Sequence, residues 1–167
     1  MVYLILYGYL ITQRILELAL AKSNESFQKK RGAIEVKDPY YPLIVLTHVV
    51  FLVALFVEAY WRHGLEVSIT YVWLGLFLIL QFLRIWLIYS MGRYWNTKVI
   101  VLPEAKLINT GLFRIVNHPN YWIVFFELLI IPLMFHAYWT AVIFPILHGL
   151  LMTKRIPLEN RALRKIN

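Results

Sequence analysis

The chain has 167 residues, of which 60% are hydrophobic and only 16% are charged. Soluble domains average about 45–50% apolar and about 25% charged residues, so this composition excludes an ordinary soluble protein and indicates an integral membrane protein. The formal net charge of +8 would suggest nucleic-acid binding in a soluble protein, but here it fits basic cytoplasmic loops that contact anionic membrane lipids.

Hydrophobic runs predict five membrane-spanning helices. The predicted spans cover residues 2–21, 43–60, 69–90, 121–132 and 137–152. The last two are separated only by residues 132–136, which predicts an antiparallel helical hairpin. We therefore expect an all-α membrane bundle that forms a single domain, 1–167, with a three-span part at 1–90 and a second part at 91–167.

Basic residues are concentrated in alternate loops. Segments 22–42, 91–118 and 153–167 hold five, four and five Lys or Arg residues, whereas the two remaining turns hold one and none. By the positive-inside rule, five spans with the amino end outside place all three basic segments in the cytoplasm.

Charged residues also occur inside the predicted spans. Arg14 and Glu17 lie three positions apart and can pair on one helix face. Arg84, near the end of the third span, either reaches to the lipid headgroups or points into a site. Glu58 and Glu127 are the remaining intramembrane carboxylates, and a polar path through such residues is one alternative role for the protein.

The longest polar interruption in the second half covers residues 106–122. It collects Gly111, Arg114, Asn117, His118, Pro119, Asn120 and Tyr121 where a hydrophobic run restarts. Pro119 suits the first turn of a helix, whose free N–H groups can bind a carboxylate or another anion.

The predicted hairpin brings this stretch beside the basic tail. His118 and Tyr121 would then lie near Arg155, Glu159 and Asn160. A carboxylate, an amide, an imidazole and aromatic faces can hold a ligand with hydroxyls and charges, including a sulfonium cation. The alternative is a tail helix held only by weak surface ion pairs.

Other chemistries are less well supported by the residues. The five histidines are scattered without metal-ligand spacing, and there is no cysteine for a zinc–thiolate site or a disulfide. No serine lies in a recognisable nucleophile turn, which argues against a Ser–His hydrolase.

Several motifs resemble a known family. They are Thr110-Gly111-Leu112-Phe113-Arg114, His118-Pro119-Asn120-Tyr121, Arg155-Ile156 with Glu159-Asn160, Leu83-Arg84-Ile85-Trp86 and Gly92-Arg93-Tyr94-Trp95. Together they resemble the signature of the isoprenylcysteine carboxyl methyltransferase family, membrane enzymes that use S-adenosylmethionine. The amino-terminal region resembles the small bacterial branch of that family. Leu112 and Asn117 depart from the usual Pro and Arg, and Arg114 is the nearest substitute for the missing guanidinium.

The resemblance implies that segment 91–167 binds the cofactor. The residues it implies for S-adenosylmethionine are Leu107, Gly111, His118, Pro119, Tyr121, Arg155, Glu159 and Asn160. Arg93 and Arg84 are the predicted catalytic residues, because an arginine beside the acceptor can bind a carboxylate or acidic enol and lower its pKa. No metal is expected in this site.

The resemblance also implies the reaction, a methyl transfer to an oxygen of a lipophilic acceptor that enters from the bilayer. The acceptor is expected to be a polyketide-lipid hydroxyl or enol, or an isoprenylcysteine-type carboxylate. We expect an integral protein of the bacterial cell membrane, with the cofactor site on the cytoplasmic face and no nucleic-acid partner.

Two alternatives remain open at this stage, and the sequence does not give the oligomeric state. One is a phospholipid N-methyltransferase. The other is a non-enzymatic membrane scaffold or small transporter that uses Arg14, Glu17, Glu58 and Glu127 as a polar path.

Overall fold

The computed structural model describes residues 2–64, 66–103 and 111–166, without the side chains of the last two. The helices are α1 (Val2–Lys29), α2 (Tyr41–His63), α3 (Tyr71–Met91), α4 (Pro119–Met134) and α5 (Tyr138–Ile166). Four of them, α1, α2, α3 and α5, are long and apolar enough to cross a membrane, and α4 is a shorter apolar helix. The predicted all-α membrane bundle is confirmed.

Two helices continue beyond the predicted spans. α1 runs to Lys29, since residues 22–29 contain no Gly or Pro that would end the helix, and it buries Asn24 and Gln28 there. These two amides donate hydrogen bonds to the backbone carbonyls that follow α3, on Gly92, Trp95 and Arg93. The amino-terminal helix is thereby attached to the end of α3.

α5 continues without interruption from the hydrophobic run into the basic tail. Its polar end is covered by a short antiparallel ladder between β1 (Ile34–Glu35) and β2 (Ile100–Val101). Val99 and Val101 pack against Ala162 of α5, and all three are buried. The tail is therefore a packed part of the fold, and it carries the second half of the candidate site.

An aromatic core joins the helices at the opposite end of the bundle. Tyr3 of α1 is fully buried; its ring centre lies 5.1 Å from that of Phe135, and its hydroxyl donates to the carbonyl of Phe56. Phe51 of α2 packs edge-to-face on Phe144 of α5, with ring centres 5.4 Å apart. This packing supplies apolar burial that complements the polar contacts inside the bundle.

Four charged side chains form a buried ion cluster between α1, α3 and α4. Its members are Arg14, Glu17, Arg84 and Glu127. Arg14 lies 2.9 Å from Glu17, which confirms the predicted pair, and 2.7 Å from Glu127. Arg84 also binds both carboxylates, so it points into the bundle and not to the headgroups. Two cations and two anions balance each other, as intramembrane charges must.

Glu58 has a different role from the ion cluster. Its carboxylate accepts hydrogen bonds from the backbone N–H groups of Trp139 and Thr140, at 3.0 and 2.8 Å, and from the Thr140 hydroxyl. It thus caps the first turn of α5, whose N–H groups have no partner inside the helix. Arg62 neutralises it at 3.1 Å. Within the described residues, no contact links Glu58 to the ion cluster.

The ion cluster predicts strong coupling between α1 and α4. Glu127→Gln should lower the free energy of unfolding by about 3–5 kcal/mol, because it leaves buried arginine charge uncompensated. The double variant Arg14→Gln/Glu127→Gln restores charge balance and should lose clearly less than the sum of the two single variants. Thermal or denaturant unfolding in detergent measures both quantities. Strictly additive losses would show that the two side chains act independently.

Candidate functional site

The candidate site lies at the end of the bundle where α1, α3 and α5 end and α2 and α4 begin. His118 stands immediately before α4 with φ 55° and ψ 53°, a left-handed conformation that is uncommon for a residue with a Cβ atom. Pro119 follows as the first helical residue, as predicted, and is buried. Backbone strain of this kind concentrates at functional sites, where surrounding contacts hold it in place.

The Glu159 carboxylate on α5 is the polar partner of side chains at the start of α4. The Tyr121 hydroxyl donates to Glu159 Oε2 at 2.6 Å, and His118 Nδ1 lies 3.5 Å from the same oxygen. The His118 and Tyr121 rings are stacked with centres 5.6 Å apart. Among the described residues, Glu159 Oε1 has no hydrogen-bond partner, so one carboxylate oxygen is available to a ligand.

The electrostatics of His118 follow from this arrangement. Its hydrogen bond to Glu159 raises the pKa of the imidazole above its ordinary value, while partial burial acts in the opposite direction. Asn160, the neighbour of Glu159, adds a smaller effect that also raises the pKa. The His118 ring therefore carries a positive charge over a wider pH range than an isolated histidine.

Arg155 connects the site to three other segments. Only 4% of its surface is exposed. It donates through Nε to the Tyr121 hydroxyl at 3.1 Å and through Nη2 to the Thr97 carbonyl. Its Nη1 lies 3.6 Å from Oδ2 of Asp38, and the guanidinium carbon lies 5.7 Å from the ring centre of Tyr41. Because its N–H groups face protein partners, Arg155 positions the Tyr121 hydroxyl.

Asp38 and Thr97 are site residues that sequence reasoning missed. The Asp38 side chain is almost fully buried; one oxygen accepts the Tyr40 N–H, and the other has Arg155 as its charged neighbour but no hydrogen bond. Thr97 contributes a backbone carbonyl, which has no sequence signature. The one available signal in the sequence was the acidic residue Asp38 directly before Pro39. By itself, that pair is typical of an ordinary turn.

Gly111 packs against the end of α3. It adopts φ +58°, and a Cβ atom placed there would lie 2.9 Å from the Ser90 hydroxyl oxygen and 3.6 Å from Trp86 Nε1. A glycine therefore lets the turn Gly111–Arg114 approach α3 closely. The other loop residue expected to contact the cofactor, Leu107, lies outside the described residues.

The structure brings together most of the residues expected to hold the cofactor. His118, Pro119, Tyr121, Arg155, Glu159 and Asn160 converge at the start of α4 and the end of α5. The two arginines expected to be catalytic lie elsewhere. Arg84 belongs to the ion cluster, and Arg93 is exposed, with its guanidinium carbon 5.4 Å from the Phe27 ring centre. Their catalytic role stays a prediction.

Comparison with known proteins identifies the family. The family model described as the isoprenylcysteine carboxyl methyltransferase (ICMT) family matches residues 73–165, more than half of the chain. The chain belongs to the ICMT family. The matched region runs from α3 to the end of α5 and so contains the site residues of α4 and α5, whereas Asp38 and Tyr41 lie before it. The resemblance inferred from the motifs is confirmed, and ICMT membership indicates a membrane methyltransferase.

Two bacterial relatives match nearly the whole chain. The uncharacterized protein YpbQ of Bacillus subtilis is 38% identical over 164 residues, which cover 96% of each chain. An uncharacterized protein of Haemophilus influenzae is 26% identical over 160 residues, or 95% of this chain and 93% of the relative. No solved structure matches the chain significantly.

The raised pKa of His118 predicts a pH-dependent contribution to stability. Because the folded-state pKa exceeds the unfolded value of about 6.5, the His118–Glu159 contact stabilises the fold fully below that pH and loses its effect as pH rises through the folded pKa. The gap in melting temperature between the parent and His118→Gln should therefore shrink with rising pH above about 6.5. In the Glu159→Gln variant, which lacks the partner carboxylate, the melting temperature should depend less on pH over the same range. A gap that widens with pH would contradict the pairing.

Proposed function

We propose that this ICMT-family protein is an S-adenosylmethionine-dependent O-methyltransferase that acts on a lipophilic acceptor at the cytoplasmic face of the bacterial cell membrane. The observation that carries the proposal is the convergence of His118, Tyr121 and Glu159 at the start of α4. The family match covers the same elements.

The chemistry of these groups fits the cofactor. Glu159 Oε1 can accept hydrogen bonds from ribose hydroxyls or from an ammonium group, because no described residue occupies it. Asn120 has a buried Oδ1 atom without a hydrogen-bond partner, which can serve a polar ligand in the same way. The first-turn N–H groups of α4 and a protonated His118 favour a carboxylate.

S-adenosylmethionine supplies a methyl group on a positively charged sulfur, so the protein has to bind, orient and shield the reactants. The Tyr121 ring stacks on His118 and Arg155 holds its hydroxyl in place, so these side chains are ordered at the start of α4. The left-handed turn at His118 and the buried Pro119 fix the start of α4. For a displacement at carbon, alignment and exclusion of water contribute more than a strong base does.

The distribution of basic residues supports the proposed orientation. We call the end of the bundle that holds the candidate site the site end. Among the described residues of the loops and helix ends, the basic residues at the site end are Lys22, Lys29, Lys30, Arg31, Lys37, Arg93, Lys98, Arg114, Lys154, Arg155, Arg161 and Arg164. The opposite end carries Arg62. The positive-inside rule then assigns the site end to the cytoplasm.

The basic surroundings of the site favour an acidic oxygen acceptor, because positive side chains stabilise its anionic form. The transporter alternative also loses support, because the ion cluster is neutral and internally paired. Glu58 is used to cap α5. No described contact joins these charges into one path across the bundle.

Calorimetry of S-adenosylhomocysteine binding to the detergent-purified protein tests the proposal. Glu159→Gln should weaken binding about tenfold to a hundredfold, because it removes a charge-assisted hydrogen bond worth about 1.5–3 kcal/mol. Glu66→Gln is the matched control, since Glu66 is exposed at the opposite end of the bundle. Absence of binding in the folded parent, or equal losses in both variants, would overturn the proposal.

A further inference from the structure

A cleft of about 800 Å³ opens along the carboxyl-terminal part of α1, at the site end of the bundle. We call it the Lys22 cleft. Tyr41 and Thr97 form its wall opposite α1, and Arg155 lies behind that wall, beside the Tyr41 ring and the Thr97 carbonyl. The wall separates the cleft from the candidate cofactor site. An occupant of the cleft is therefore neither the cofactor nor a molecule placed to receive its methyl group.

An apolar track on α1 leads from the bilayer to the cleft. Ile11, Ile15 and Leu18 recur at intervals of four and three positions, so they share one helix face, and all three are exposed. Lys22 continues the same face one turn later, inside the cleft. This face of α1 is therefore apolar along the bilayer and basic at the aqueous boundary.

Two of the lysines in the cleft are paired with carboxylates. Lys29 Nζ lies 2.5 Å from both Glu25 and Glu35, and Lys98 Nζ lies 3.1 and 2.9 Å from the same two carboxylates. Because two cations face two anions, these four side chains balance one another and contribute no net charge.

The remaining two lysines give the cleft its charge. Lys22 and Lys30 line the cleft and are exposed. Within the part of the chain that the structure describes, neither forms an ion pair with a carboxylate. The cleft and its ion pairs thus combine four lysines with two carboxylates, and the surplus positive charge lies at the end of the apolar track.

Hydroxyl groups complete the lining of the cleft. The hydroxyls of Tyr41 and Thr97 lie 3.1 Å apart, and this contact uses only one of their two protons. The other proton has no acceptor among the described residues. Ser26 adds a third hydroxyl from α1. Ammonium and hydroxyl donors around one space suit the oxygens of a phosphate group and of a glycerol backbone.

We propose that the Lys22 cleft binds one anionic phospholipid, which the protein holds as a structural ligand and does not methylate. Lys22 and Lys30 contact the phosphate of its head group, and one acyl chain lies along the apolar track. The positive-inside rule assigns this end of the bundle to the cytoplasmic leaflet, which carries anionic lipids. The inference does not depend on the proposed methyltransferase activity, because the lipid is bound without being converted.

Charge and shape together favour this occupant over the two nearest alternatives. A zwitterionic phospholipid brings a cation with its phosphate, so it gains less from two uncompensated lysines. A soluble anion contacts the lysines but leaves the apolar track uncovered. An anionic phospholipid matches both parts of the surface, since it combines apolar contact with electrostatic attraction.

Native mass spectrometry of the full chain in an uncharged detergent tests the site. The protein is titrated with phosphatidylglycerol and, separately, with phosphatidylcholine of the same acyl chains. The parent should retain one phosphatidylglycerol about tenfold more tightly than phosphatidylcholine. The variant Lys22→Gln/Lys30→Gln should bind phosphatidylglycerol about tenfold to thirtyfold more weakly and lose the preference. The variant Lys22→Arg/Lys30→Arg keeps the charge and should bind as the parent does.

The control variant is Lys37→Gln/Lys154→Gln, which removes the same net charge at exposed lysines outside the cleft. It should keep the parent's affinity for phosphatidylglycerol. Equal retention of the two lipids by the parent, or an equal loss of affinity in the control, would overturn the proposal.

Glycerol phosphate, the head group without acyl chains, tests whether the cleft is a site for soluble anions. It should not displace phosphatidylglycerol when added at the same concentration. Displacement would overturn the lipid assignment. S-adenosylhomocysteine is left out of all these samples, so a failure here leaves the proposed function standing, and a failure of cofactor binding leaves the lipid site standing.

Discussion

The candidate site depends on the contacts of one buried guanidinium. Arg155 reaches the Tyr121 hydroxyl on α4, the Thr97 carbonyl after α3 and the Asp38 carboxylate before α2. A planar group with several fixed N–H donors suits this task, because it sets the relative positions of its acceptors and not only their charge. Tyr121 in turn directs its hydroxyl to Glu159. Without Arg155 the four segments would have no shared polar partner.

The ion cluster supplies the corresponding constraint inside the bundle. It joins α1 to α3 and α4, so the amino-terminal helix is held against the part of the chain that matches the ICMT family. Farther along α1, Asn24 and Gln28 bind the backbone after α3. The candidate site is thus attached to a helix that begins outside the matched family region.

The helices and the two halves of the site were predictable from the sequence, because apolar runs mark spans and a short hairpin forces His118 and Glu159 to the same end. The contact of Arg155 with Asp38 and the contact of Glu127 with Arg14 were not. Asp38 and Arg14 are far from these partners in the chain, and periodicity carries no information about such contacts. The two-residue strands are too short to show alternation, and the direction of Arg84 depended on carboxylates from two other helices.

Hydrogen exchange with and without S-adenosylhomocysteine tests most directly whether the start of α4 and the end of α5 form the cofactor site. Slower exchange on binding is predicted at residues 118–124, 155–160 and 95–98, with no change near residues 136–141 at the opposite end. Protection confined to the opposite end, or no protection anywhere in a folded sample that binds the ligand, would contradict this prediction.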